Sequence, residues 1–270
     1  TGWSGDCSGA GAGQLTMDSP KAVRAQFTAT GGGPKPAVAT GGVISASAFG
    51  ALKTIAPGGW FEIYGANLST VTAQWQSSDF KGDTAPQTLQ GVSVTVAGKN
   101  AYVSYVSPGQ INAQAPDGIG TGAVQVVVSN LNGSSDPVTV TAADRAAGLL
   151  TPFGNGYLAA FQGGTIVGSP GYTAVKPGDV ITIYGTGFGT VTPAVAPGQV
   201  AAALNTLMNT VEIRVGGVAA ALSYQGLSPG LVGLYQFNAT VPQVADGDQT
   251  VTFSTGGVTA SQTAVLTVKR

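Results

Sequence analysis

Histidine is absent from the 270 residues, cysteine occurs once, at Cys7, and glutamate twice, at Glu62 and Glu212. Without histidine the chain lacks the commonest general base, the commonest metal ligand and the side chain that titrates near neutral pH, which excludes Ser-His, Cys-His and His-metal chemistry. A single thiol excludes an internal disulfide framework and leaves Cys7 either idle or bridging to another molecule. Charge is scarce as well. Only 9% of residues carry it, against about 25% in an average soluble domain, and 11 basic residues almost balance 12 acidic ones for a net charge of −1. No basic cluster is present to neutralise successive phosphates, which argues against nucleic acid. No run of about 18 apolar residues is present to span a bilayer. The surface must be built from Ser, Thr, Asn, Gln and Gly. The chain begins at Thr1 without a signal segment, so it reads as a processed chain or a piece of a longer one, and the uncharged composition fits secretion.

What is present is a repeat. Ala56-Pro-Gly-Gly-Trp-Phe-Glu-Ile-Tyr-Gly-Ala-Asn-Leu-Ser-Thr-Val-Thr72 returns 120 residues later as Lys176-Pro-Gly-Asp-Val-Ile-Thr-Ile-Tyr-Gly-Thr-Gly-Phe-Gly-Thr-Val-Thr192. Each copy opens with a Pro-Gly turn, alternates up to a tyrosine and stops at glycine, the pattern of a half-buried strand. Val92-Ser-Val-Thr-Val-Ala-Gly98 is answered by Val211-Glu-Ile-Arg-Val-Gly-Gly217, and Gln110-Ile-Asn-Ala-Gln-Ala-Pro116 by Gln236-Phe-Asn-Ala-Thr-Val-Pro242. Ser107-Pro-Gly109 is answered by Ser228-Pro-Gly230, and between that match and the glutamine one the second copy gains five residues, Leu231 to Tyr235, an apolar insertion that predicts a longer strand or a contact with the other copy.

Phe61 and Ile63, and in the next strand Val92, Val94 and Val96, alternate as one buried face should. A hairpin is expected between Gly91–Gly98 and Ala101–Val106 across Gly98-Lys99-Asn100, and another between Ala123–Ser129 and Pro137–Thr141 across Asn132-Gly133. Gln74 to Leu89 reads as a long polar loop. Short strands, Gly and Asn turns and no helical period predict an all-β chain of two tandem immunoglobulin-like β-sandwiches. The expected divisions are an N-terminal β-hairpin at 1–30, a Gly/Pro linker at 31–42, a first sandwich at 43–146 and a second at 147–270. The patch Tyr157-Leu-Ala-Ala-Phe161 near the second division suggests that the two are rigidly docked.

In the N-terminal part, Val23, Ala25 and Phe27 alternate with Arg24, Gln26 and Thr28. A hairpin of this size is marginal alone and needs something to pack on. The segment Trp3-Ser-Gly-Asp-Cys-Ser-Gly-Ala-Gly-Ala-Gly-Gln-Leu-Thr-Met-Asp18, followed by Ala22 to Thr28, resembles the closing half of bacterial surface repeats related to the InlB B-repeat. That family carries a second cysteine where this chain has Gly13, so the resemblance leaves Cys7 without its usual local partner. From about residue 43 to 270, the ordered motifs of both copies resemble the C-terminal domain family abundant in secreted proteins of Solibacter and other Acidobacteria. This resemblance implies two IPT/TIG-type immunoglobulin-like folds and an extracellular or cell-surface address, and it brings no catalytic residue with it.

Motifs that superficially suggest chemistry have plainer readings. Gly185-Thr-Gly-Phe-Gly189 is followed by Thr-Val-Thr-Pro rather than a helix, so it is no phosphate loop. Ser78-Asp-Phe-Lys81 has the spacing of serine acyl enzymes but lies in a loop without companion motifs. Glu62 and Glu212 sit on separate repeats, whereas glycoside hydrolysis needs two carboxylates about 5–9.5 Å apart. Asp79 with Asp83 and Asp246 with Asp248 could offer oxygens to calcium, yet neither makes an EF-hand loop, and Asp-Gly turns explain such pairs.

The expectation for function is therefore non-enzymatic, with no cofactor and no metal: a structural stalk, adhesin or filament subunit. Ala22, Val23, Arg24, Ala25, Gln26, Phe27 and Thr28 would add as a strand to the sheet edge of the next copy, head to tail, or to another surface protein. The alternative is a carbohydrate-binding module for polysaccharide. Its candidate stacking residues are Trp60, Tyr102, Tyr105, Tyr224, Tyr235 and above all Trp75, which stands in a polar loop where core packing explains it least.

Overall fold

The computed structural model describes residues 2–8, 14–16, 18–26 and 32–270. Two short strands come first, β1 (Gly2–Gly5) and β2 (Val23–Gln26), which pair antiparallel from Gly2 opposite Gln26 to Gly5 opposite Val23. Among the described residues they pair only with each other.

The first repeat then lays down β3 (Ala37–Ser45), β4 (Trp60–Ala66), β5 (Ala73–Gln74), β6 (Val92–Val96), β7 (Tyr102–Val106), β8 (Gln110–Gln114), β9 (Gly122–Asn130) and β10 (Val138–Ala142). One sheet has the order β3-β4-β8-β7-β5, and the other is centred on β10-β9-β6. Their facing sides are apolar. Phe61, Ile63, Val103, Val106 and Ile111 from one sheet meet Val92, Val94, Val96, Val126 and Val128 from the other, and all are essentially fully buried. β-branched side chains on a pleated surface fill such a two-layer core well.

The second repeat contributes β11 (Ala160–Gln162), β12 (Val180–Thr186), β13 (Val211–Val215), β14 (Ala221–Leu227), β15 (Tyr235–Thr240), β16 (Gly247–Thr255) and β17 (Ala264–Val268). β12-β15-β14 reproduces the order of β4-β8-β7, and β13, β16 and β17 form the opposite layer. This core is more aromatic: Phe188 packs on Phe237 at 4.8 Å and on Phe253 and Tyr235 at 5.5 Å between ring centres. The all-β chain is thus two β-sandwiches, each with its own core.

Two expectations need correction. β6 and β7 do not form a hairpin: Lys99 and Asn100 pair back onto β6, after which the chain crosses to the opposite sheet and β7 pairs with β8 and β5. The crossing lets the valines of β6 and of β7 face one core from opposite sides. The second hairpin forms as read, with Val126 opposite Val138. The linker also ends earlier than expected, because Ala37 to Gly42 already belong to β3. Lys35 pairs with Asp136 at 2.7 Å, and the Asn132 amide donates to the Pro34 carbonyl at 3.3 Å, which ties this segment to the first sandwich.

The sandwiches touch through polar contacts. The Ala85 amide donates to the Gly198 carbonyl at 2.7 Å and the Val200 amide to the Asp83 carbonyl at 2.9 Å, a small bridge between loops. The Gln199 amide donates to Thr84 Oγ1 at 2.8 Å. Gly198 has φ +81°, and a Cβ there would stand 2.1 Å from the Tyr102 ring, so the close approach requires glycine.

Candidate binding groove at the junction of the sandwiches

The groove begins with the turn before β4. The Gly59 amide donates back to the Ala56 carbonyl at 2.9 Å, and Gly58 supplies φ +69°. β4 therefore starts at Trp60 with Phe61 and Ile63 pointing into the core, while Trp60, Glu62 and Tyr64 point away from it. Trp60 is fixed at both ends of its polar inventory. Its backbone amide donates to Thr186 Oγ1 at 2.7 Å, and its indole Nε1–H donates to the Val232 carbonyl at 2.9 Å. Val232 lies in the five-residue insertion of the second repeat, so that insertion makes the contact with the first sandwich.

Trp75 follows β5, and its amide donates to the Ser104 carbonyl at 2.9 Å. Its ring stands edge to face with Trp60, at 5.6 Å and 79°, and with Phe80, at 5.0 Å and 61°. Phe80 is held there by a turn over Ser77–Asp79, in which the Asp79 carboxylate accepts the Gln76 amide at 2.7 Å. The polar loop thus carries one ring of an aromatic row. Trp75 is half-buried, a wall rather than a fully exposed platform.

Between these rings and the second sandwich runs an open groove of about 380 Å³, lined by Trp60, Trp75, Glu62, Gln74, Ser104, Asn112, Thr186 and the apolar Leu150, Leu231 and Leu234. Glu62 is its one ionisable group. The Tyr64 hydroxyl donates to Glu62 at 2.6 Å; burial, followed by the hydrogen bond and charge of that carboxylate, pushes the phenol up to about 12. Gln110 Nε2 donates to Asn112 Oδ1 at 2.8 Å, which orients the asparagine amide. Indole walls and oriented amides beside one carboxylate offer stacking surface and hydrogen bonds.

The other sequence candidates are spread elsewhere. Tyr102 presses on Gly198 at the junction, and Tyr235 is buried with its hydroxyl donating to the Gly189 carbonyl, while burial raises its pKa. Tyr105 and Tyr224 stand opposite Asn112 and Asn238 on the outer sheet faces. Glu212 belongs to β13 of the second sandwich, apart from Glu62. Asp248 accepts from Thr267 Oγ1 at 2.6 Å and Tyr157 OH at 2.5 Å, and Asp246 accepts the Arg270 amide at 3.0 Å. Phe188 of the glycine-rich stretch is core. Among the described residues no helix is long and apolar enough to cross a membrane. Cys7 is half-buried and in no disulfide. Ala22 precedes β2, Val23 to Gln26 form it with Val23 42% exposed, and Phe27 and Thr28 lie outside the described residues.

The IPT/TIG domain family matches residues 54–142, the greater part of the first sandwich. Among solved structures, the chain is similar to SGBP-B from the mixed-linkage glucan utilization locus of Bacteroides ovatus, in complex with a mixed-linkage heptasaccharide. That match has 14% identity and a TM-score of 0.35, and covers 80% of this chain and 43% of that one. It is also similar to the surface glycan-binding protein PbSGBP-B from Prevotella bryantii, with 12% identity, coverage of 84% and 41%, and a TM-score of 0.27. Domains 5–6 of the S-layer protein SbsC match with 12% identity, coverage of 86% and 98%, and a TM-score of 0.31. The chain thus spans less than half the length of the two glycan-binding proteins. No curated protein matches.

Proposed function

We propose that the chain is a non-catalytic extracellular module that holds a neutral polysaccharide in the junction groove. The observation that carries this reading is the pair of indole rings, 5.6 Å apart, lining an open groove whose polar residues are amides and hydroxyls apart from Glu62. A glucan with equatorial hydroxyls has flat C–H faces that stack on indole and rims that bond to Gln74, Ser104 and Asn112. An anionic polymer would meet the Glu62 carboxylate and a surface without compensating positive charge. Each half-buried ring offers only part of its surface for stacking, so binding is expected to be weak per ring and to build up along a chain.

The test is electrophoretic retention in gels containing mixed-linkage β-glucan, hydroxyethyl cellulose or mannan. Retention of the wild type and a loss of about tenfold in Trp75→Ala, or about 1.4 kcal/mol, is the expected result. A second variant, Gln74→Ala, removes only an exposed amide and is expected to weaken binding in a protein that melts like the wild type. A wild type that migrates freely in every gel overturns the reading.

A second reading is self-assembly by strand addition. One observation favours it: among the described residues β2, Val23–Gln26, is paired with β1 alone, so its other edge is open to a strand of a neighbouring molecule.

A further inference from the structure

The repeat extends beyond the core to the outer sheet faces. On the first sandwich Tyr64 stands opposite Gln110, Glu62 opposite Asn112, and Asn112 opposite Tyr105. On the second, Tyr184 stands opposite Gln236, Thr182 opposite Asn238, and Asn238 opposite Tyr224. The small hydrogen bond inside this pattern is reproduced too: Gln236 Nε2 donates to Asn238 Oδ1 at 3.0 Å, as Gln110 does to Asn112. In both copies the asparagine carbonyl is thereby occupied, while its Nδ2 has no acceptor among the described residues and is left for solvent or a ligand.

Two differences make the second face better suited to a neutral ligand. Thr182 replaces the carboxylate of Glu62, and Phe161 is added opposite Thr182, with its ring edge to face on Tyr184 at 5.6 Å and 68°. The row Phe161, Thr182, Asn238, Tyr224 crosses four strands, so at about 4.8 Å per strand its aromatic ends stand about 14 Å apart. Thr182, Tyr184, Gln236, Asn238 and Tyr224 are all half-buried, the exposure of a sheet face that is reached by solvent but not loose. This face also runs into the groove. Thr186 follows Tyr184 by two residues on β12, lines the groove and accepts the Trp60 amide, and Leu150, which also lines the groove, donates its amide to the Tyr184 carbonyl at 2.9 Å.

We infer that the outer face of β11, β12, β15 and β14 is a second glycan site, with Phe161, Tyr184 and Tyr224 as stacking rings and Asn238 and Thr182 as hydrogen-bonding groups. It takes the same neutral polymer as the junction groove, and one chain long enough to lie across both is held at two points. This inference rests on the glycan reading of the groove. Two linked sites raise the apparent affinity for a long polymer by about 10²–10⁴ over either alone, while a short oligosaccharide that fills one site gains nothing.

The test compares mixed-linkage β-glucan polymer with cellotetraose on the full chain. Phe161→Ala/Tyr184→Ala is expected to bind polymer at least tenfold more weakly and to leave the cellotetraose affinity of the groove within twofold. A readout that needs no change on this face keeps the test independent of its folding: in Trp75→Ala, backbone amide resonances of Tyr184 and Asn238 are expected to shift on adding cellohexaose. If the wild type is retained by polymer, yet Trp75→Ala abolishes all binding and no resonance on the second face moves, the second site is overturned and the groove stands. If the wild type neither is retained nor shows any shift, the groove reading falls and this one with it.

Discussion

Gln114 is the side chain on which the docking of the two sandwiches should depend most. It is 2% exposed, its Oε1 accepts the Gly198 amide at 2.7 Å, and its Nε2 donates to the Gly58 carbonyl at 2.9 Å. Gln114→Leu keeps the bulk and strands both backbone groups. Each stranded buried group costs about 1–3 kcal/mol. Gln114 also lines a cleft of about 370 Å³ between the sandwiches, so water reaches part of the site, and a total near the lower end, about 2–3 kcal/mol, is expected. At roughly 2–4 °C per kcal/mol for a chain of this size, the melting midpoint falls by about 4–12 °C. Because each sandwich has its own core, the loss should fall on their coupling, and calorimetry should resolve a broadened or split transition in place of a joint one. Gln125→Leu is the matched control: the Gln125 side chain is exposed and bonds only Thr139, at 2.9 Å, so its change stays within about 0.5 kcal/mol. If Gln114→Leu melts within roughly one degree of the wild type, the amide does not hold the junction and the reasoning fails.

Tyr64 should be a late-titrating phenol, since burial and Glu62 push it up to about 12. Its folded-state value lies above the ordinary 10, so its contribution to stability is complete below pH 10 and is lost as pH rises through 12; the phenolate absorbance of Tyr64→Phe should lack one late step, and loss of a step near pH 10 instead would contradict the assignment. For the second reading of function, deletion of residues 1–30 should leave two folded sandwiches that no longer form fibres in electron micrographs, and fibres of unchanged repeat would refute strand addition.

The fold was largely legible because its signals are local. Period-two alternation at Phe61 and Ile63 and at Val92, Val94 and Val96, set between glycine turns, is enough to define buried faces. What pairs with what was less legible. Tyr102-Val-Ser-Tyr-Val106 does not alternate cleanly, because the register with β8 shifts between Val103 and Tyr105, and that bulge buries both Val103 and Val106 while turning Tyr105 outward. The second copy shifts at the same place, between Leu222 and Tyr224. Nothing in a single strand announces a bulge; the repeated Ser-Tyr pair, Ser104-Tyr105 and Ser223-Tyr224, was the available trace. The candidate site was half legible. Trp75 stood out because a polar loop does not explain an indole, whereas Trp60 was one aromatic candidate among several, and nothing in its own strand announced that the insertion of the other repeat caps its Nε1.

That insertion explains why the two copies do not simply repeat along the chain. A duplicated sandwich joined by a free linker would present its two outer faces at any relative angle, and a polymer bound to one would gain little from the other. Here Val232 bonds Trp60, and a Cβ on Gly233 would lie 1.8 Å from the Gln114 amide, so insertion and first sandwich are fitted to each other. Thr186, at the end of β12, is in turn capped by the start of β4. Glu62 and Asn112 of the first outward face and Thr186, at the end of the strand that carries the second, thereby line one groove. The cores diverged into a valine-rich and a phenylalanine-rich version, a change that packing tolerates if volume and pattern are kept. Folding alone does not require the outward Tyr, Gln and Asn to stay in register in both copies, since exposed strand positions accept many polar residues at little cost. Their coincidence, together with a hydrogen-bonded junction between the two sandwiches, is what a shared ligand along both faces would require.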